Sequence, residues 1–184
     1  REGILRKFWL SIALCGAGFG AKADLPDGRY VVHLTTQSEA EISVADIEVA
    51  QGAYSLAWRE EKFEDAFLSM RPFRCLFEPE VTLCRVEYPY ENKREISGGS
   101  FTDLEYDLLF VWKAPGTYGI DLWNGWYFQL TPEGAGLYGA LQELDLGLLA
   151  VPPEPGNLRP IKAKDLHPAE ADGHWITGLK ITPQ

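Results

Sequence analysis

The sequence predicts a mainly β protein: an antiparallel, barrel-like or strongly curved sheet of short hairpins, with one short helix over about 102–113. Three observations predict it. Short runs rich in β-branched and aromatic residues recur along the chain. Eighteen glycines and twelve prolines supply turn signals between those runs. Two of the runs also face each other across a pair of cysteines, in a register on which both strands agree.

That pair lies in the stretch from Arg71 to Tyr88. If Glu78 to Val81 form the loop, Phe77 faces Thr82, Leu76 faces Leu83, Cys75 faces Cys84 and Phe73 faces Val86. Side chains alternate across a strand, so Phe73, Cys75, Phe77, Cys84 and Val86 share one face, while Arg74, Arg85 and Glu87 are expected on a solvent face. A slip of one residue would exchange the two sets. Directly opposed cysteines can meet the geometry of a disulfide, and closing so short a loop without strain would stabilise the fold by roughly 2–3 kcal/mol; two buried free thiols are the alternative.

The other elements follow in order. Arg29 to Leu34 reads as a first strand. From Glu41 to Trp58 the pattern is a hairpin turning at Gln51-Gly52, with Val49 opposite Tyr54, Ile47 opposite Leu56 and Ala45 opposite Trp58. Ile42 and Val44 are out of phase with Ile47 and Val49, which predicts a bulge near Ala45. Phe63 to Met70 leads into the cysteine hairpin as a further strand or as its extension. Thr102-x-x-Glu105 matches a capping box, and Leu104, Leu108 and Val111 or Trp112 follow at helical spacing, with Pro115-Gly116 as a stop. A strand from Tyr106 to Trp112 is the competing reading.

Tyr118 to Trp123 reads as a strand, Asn124-Gly125 as a tight hairpin turn, and Trp126 to Leu130 as the returning strand. Leu137 to Leu141 follows after a turn through Pro132 to Gly136. Glu143 to Leu149 fits either a strand or a helical turn. Four prolines between Val151 and Pro160 exclude a strand or helix interior and indicate a surface crossing. His174 to Ile181 reads as the last strand.

The first residues look like a leader. Arg1, Arg6 and Lys7 precede an apolar run from Phe8 to Phe19, and Ala21-Lys22-Ala23 is a small-residue cleavage site. The expected organisation is therefore a signal peptide over 1–23 and a single β-rich domain over 24–184, located in the periplasm or secreted. A lipoprotein anchored at Cys15 is the alternative, though Leu14 is bulkier than such a site prefers. Removing 1–23 takes away four basic residues and one acidic one, moving the net charge from −10 to −13. Such an acidic chain is unsuited to nucleic acid. No integral membrane segment is expected after cleavage, and the paired cysteines suit an oxidising compartment. The chain is expected to be monomeric.

Chemistry is harder to find. His33, His167 and His174 lack the spacing of a metal site, and no nucleophile motif is present. No catalytic residue, metal or cofactor is therefore assigned. Asp103, Glu105, Asp107, Glu143 and Asp145 lie near aromatic residues, and two of them converging would suit hydrolysis of an envelope or sugar substrate. Two tryptophans flanking a tight turn, with Tyr127 and Trp112, instead suggest a recognition surface. The candidate binding residues are Trp112, Trp123, Trp126 and Tyr127. The favoured expectation is an exported, non-enzymatic binding or envelope-associated module, its partner a small molecule or an envelope protein. The alternative is a carboxylate-dependent hydrolase.

Overall fold

The computed structural model describes residues 24–69, 72–96, 98–170 and 172–184. The expected leader over 1–23, and Cys15 within it, lie outside these residues. Among the described residues eleven strands form one antiparallel sheet, strongly curled into a half-barrel. They are β1 Gly28–Thr36, β2 Glu41–Ala50, β3 Ala53–Trp58, β4 Glu64–Phe67, β5 Pro72–Phe77, β6 Thr82–Arg85, β7 Phe110–Lys113, β8 Gly125–Glu133, β9 Gly136–Leu144, β10 His167–Pro168 and β11 Ile176–Pro183. The order across the sheet is β3-β2-β1-β11-β9-β8-β7-β6-β5-β4, with β10 pairing β9. Among the described residues a single α-helix, α1 Thr102–Asp107, precedes β7.

Alternation explains most of this. In β1, Tyr30, Val32 and Leu34 are buried and their neighbours are not, the mark of a strand with one face on a core. The β2–β3 hairpin has the expected pairing of Val49 with Tyr54, Ile47 with Leu56 and Ala45 with Trp58. The expected bulge is present: the β1–β2 register shifts between Val32 and His33, so Val44 and Ala45 are both buried.

The curl creates two cores. Inside it, Val32, Leu34, Leu76, Leu83, Phe110, Trp126, Phe128 and Leu179 pack together. Against the outer face of β5 to β9, Cys75, Cys84, Tyr106, Val111, Tyr127, Leu144, Leu146 and Leu149 form a second cluster. The sheet is therefore buried on both faces over β5 to β8. This corrects the expected solvent face of the cysteine hairpin at Arg85, while Glu87 is exposed as expected. Leu76 and Leu83 fill the inner core, and Arg85 has a side chain only 10% exposed. Its guanidinium lies 4.8 Å from the ring centres of both Trp58 and Phe63 and pairs with Glu60.

Three further elements differ from expectation. The helix ends at Asp107, and 110–113 is strand. Leu109 and Val111 face the outer core while Phe110 and Trp112 face the inner one, so this apolar run suits a strand covered on both sides. The capping box is absent: Phe101 holds the N-cap position without a side-chain bond, and Glu105 turns inward. Tyr118 to Trp123 is not a strand, and Asn124-Gly125 is not a hairpin turn. Leu122–Asn124 is a 3-10 helix capped by the Asp121 side chain, which accepts from the Trp123 N–H at 3.0 Å. Gly125 has φ −74° and ψ 142°, and a Cβ there would sit 2.3 Å from the Leu144 carbonyl oxygen. The glycine serves close strand packing, so its turn signal misleads.

Candidate functional site

The cysteine hairpin positions the site. Cys75 and Cys84 are bonded, with Cα atoms 4.0 Å apart, and Leu76–Leu83 and Phe77–Thr82 pair as the hairpin register requires. The ladder ends at the disulfide. Beyond it, Phe73 and Val86 do not pair as expected. β5 runs on to Pro72 with its other edge on β4, while 85–89 runs along the opposite side. A cleft of about 630 Å³ opens in this fork. That is within the range of ligand pockets.

One wall of the cleft is Pro72, Phe73 and Arg74; the other is Arg85 to Pro89. Its floor is apolar, made by Val111 of β7 with Ile120, Leu146 and Leu149. A 3-10 helix over Leu146–Leu149 carries the last two, started by Asp145, whose side chain accepts from the Gly147 N–H at 2.7 Å. This helix packs beside the one at Leu122–Asn124. Leu122 lines the cleft and is 42% exposed; Trp123 next to it is 73% exposed and Val151 is 68% exposed. Trp123 and Val151 are the chain neighbours of the lining residues Leu122 and Ala150, so large apolar side chains stand in water next to lining positions.

Charge at the cleft is largely paired. Arg74 reaches Glu60 at 3.0 Å and Asp65 at 3.1 Å, and Arg85 reaches Glu60 at 3.0 Å. Burial alone would raise the Glu60 carboxyl, but the Arg85 and Arg74 guanidiniums hold it below its usual range. Glu87 is exposed on the wall and forms no salt bridge among the described residues.

A smaller cleft, about 290 Å³, shares Arg85 to Tyr88 with the first and is closed by Leu56, Trp58, Arg94 and Asp107. It lies at the seam where β3 ends the sheet. A loop covers that edge: the Tyr54 N–H donates to Arg94 O, and the Ile96 N–H donates to Gly52 O.

The four candidate binding residues are not brought together. Trp126 is fully buried in the inner core and stacks on half-buried Trp112 at 6.2 Å, with His174 against both. Tyr127, its neighbour on the strand, faces the outer core. Trp123 alone is exposed; it does not line the larger cleft but follows Leu122, which does. Trp123 and Trp126 do not face each other, because no hairpin lies between them.

The five candidate carboxylates are dispersed as well. Asp103 pairs with Arg159, and Asp107 accepts from Tyr54, Asn92 and Arg94 at 2.8–3.0 Å. Glu143 meets His174 at 2.7 Å, and Asp145 caps its helix. Glu105 is buried, and burial raises its carboxyl despite hydrogen bonds from the Tyr127 hydroxyl and the Leu130 N–H. It lines neither cleft. Among the described residues no group of three or more His, Cys, Asp or Glu side chains is placed to hold a metal ion, and no helix is long and apolar enough to cross a membrane.

Sequence reasoning missed the fork. One signal for it was present: Leu146, Leu148, Leu149 and Val151 form an apolar run too broken by glycine and proline to be a strand. Such a run needs another apolar surface to cover. The chain matches no protein-family model, no curated protein and no solved structure.

Proposed function

We propose that the chain is an exported, non-enzymatic binding module whose binding site is the cleft between β5 and 85–89. The observation that carries the reading is an apolar floor that continues to Leu122, itself 42% exposed, with exposed Trp123 and Val151 next in the chain to the lining residues Leu122 and Ala150. Such surface marks a place where a soluble protein is covered by something else. Export rests on the leader-like residues 1–23 and the disulfide.

The binding half is tested with the apolar fluorophore 1-anilinonaphthalene-8-sulfonate. Saturable binding at one site is expected, with energy transfer from Trp123 lost in Trp123→Phe. Leu122→Asp, at a partly exposed position that the fold tolerates, weakens binding by about tenfold, the worth of one apolar side chain covered. Binding that is unsaturable, or indifferent to both substitutions, defeats the proposal. For export, the chain recovered from a bacterial periplasm is expected to begin at Asp24 and to weigh two hydrogens less than its reduced form.

A further inference from the structure

We propose that the smaller cleft, between 85–88 and the end of β3, binds a free α-amino acid with an apolar side chain. This is a second site, independent of the role proposed for the larger cleft. The inference starts from Arg85, whose side chain is 10% exposed and lines the cleft. A guanidinium has five N–H donors. Among the described residues the Arg85 side chain spends one, on Glu60 Oε1 at 3.0 Å. Donors so nearly buried have little water to satisfy them, so an acceptor placed in the cleft is worth more than one on the open surface. Arg94 lines the same cleft and, among the described residues, spends only its Nε, on Asp107 at 2.9 Å. Two guanidiniums with donors left over suit a carboxylate, whose two oxygens can each accept from them.

A bare anion does not complete the fit. Glu87 and Asp107 line the cleft with the two arginines, so its charged side chains balance. A ligand that is itself balanced is the complement. The Asp107 carboxylate already accepts from Tyr54, Asn92 and Arg94. Glu87, which is exposed, is the carboxylate left to receive a cation. Arg85 and Glu87 are two residues apart, which keeps their Cα atoms within ~7 Å of each other. That suits opposite charges set close together, as the ammonium and carboxylate on one carbon are. A quaternary ammonium, as in phosphocholine, is met less well, because the rings of Trp58 and Tyr88 already carry the guanidiniums of Arg85 at 4.8 Å and Arg159 at 5.4 Å. Leu56 and the Trp58 ring edge remain for an apolar side chain. The volume of about 290 Å³ lies just below that of pockets for drug-sized ligands and suits so small a molecule.

The test is calorimetric titration with leucine and with phenylalanine, beside the N-acetyl and amide derivatives of each and phosphocholine. At least one of the two amino acids is expected to bind, one per chain. Acetylation removes the ammonium and amidation the carboxylate, and each is expected to weaken binding at least tenfold. Glu87→Gln, at an exposed position, is expected to weaken the amino acid at least tenfold while leaving its N-acetyl derivative unchanged. Arg94 lines this cleft and not the larger one. Arg94→Gln is expected to weaken the amino acid while leaving its amide unchanged, whereas a loosened fold would weaken both alike. Absence of binding by both amino acids overturns the inference. So do equal binding of the blocked derivatives, binding of phosphocholine alone, and indifference to both substitutions. Fluorophore binding at the larger cleft is scored separately, so either site can fail without the other.

Discussion

The carboxyl group of Glu105 lies where β8 loses its strand partner. β7 pairs β8 only through Phe110–Trp126 and Val111–Gly125, because α1 takes up the chain before it. The N–H of Leu130 on that edge would be buried without a partner, and Glu105 Oε1 accepts it at 2.7 Å. The other oxygen meets the Tyr127 hydroxyl. Burial raises the carboxyl above its ordinary range, the two hydrogen bonds offsetting only part of the effect, and burial beside Glu105 also raises the Tyr127 phenol. For an acid whose folded pKa lies above its unfolded one, the contribution to stability is complete below the unfolded value and is lost as pH rises through the folded value. Glutamine reproduces the protonated group: its carbonyl accepts from Leu130 and its amide donates to Tyr127. Glu105→Gln is therefore expected to flatten the fall in stability between acid and neutral pH, measured by urea unfolding. Glu105→Ala leaves the Leu130 N–H unpaired and costs about 1–3 kcal/mol at either pH. Identical pH slopes for the glutamine variant and the parent chain would remove Glu105 from this role.

At the scale of elements, the disulfide sets where pairing stops. It lies at the point where β5 and 85–89 separate, with the ladder on one side and the cleft on the other. Cys75→Ala with Cys84→Ala is expected to lower stability by about 2–3 kcal/mol, from the entropy of the short loop released. The same double variant is expected to bind the fluorophore more weakly, because the walls lose their fixed separation. Unchanged affinity would mean that Leu76–Leu83 and Phe77–Thr82 hold the fork by themselves. Elements of this kind were the most legible part of the sequence. The hairpins at Gln51-Gly52 and at the cysteines each carry two patterned strands that cross-check one another, so register could be read before the fold. Asn124-Gly125 had a turn signal but only one real strand beside it. Local propensity could not reveal that Gly125 is required by Leu144 across the sheet. The candidate tryptophans dispersed for a related reason: which face Trp123 takes depends on a 3-10 helix capped by Asp121, and that capping bond carries no periodic signature. The cleft was least legible, since it arises where two strands cease to pair.

Across the whole molecule, the sheet curls until its ends, β3 and β4, are separated by only 59–63 in the chain, yet they do not pair. The loop before α1 covers the edge of β3 and substitutes for the missing closure. Arg159 secures that loop from the far side of the chain. Its guanidinium pairs with Asp103, donates to Asn92 Oδ1 at 2.9 Å and to Glu91 O at 3.0 Å, and lies over Tyr88 and Tyr106. Asp103 in turn accepts the Glu95 N–H at 3.1 Å, and Asp107 holds Arg94 at 2.9 Å. Asp103 and Asp107 are thus the means by which α1 clamps the seam. Arg159 and Asp103 are each only 17% exposed, so removing one charge strands the other in a place of little water. Arg159→Ala is expected to cost on the order of 3 kcal/mol. Lysine should not restore it, because a single ammonium cannot reach Asp103, Asn92 and Glu91 in one plane. Hydrogen exchange locates the effect. The amides of Tyr54, Glu95 and Ile96 should exchange faster in the variant, while those of β1, between β2 and β11, keep their protection relative to global unfolding. Uniform acceleration across the sheet would mean that the seam and the barrel wall unfold as one unit, and that Arg159 supports the whole sheet instead of its closure.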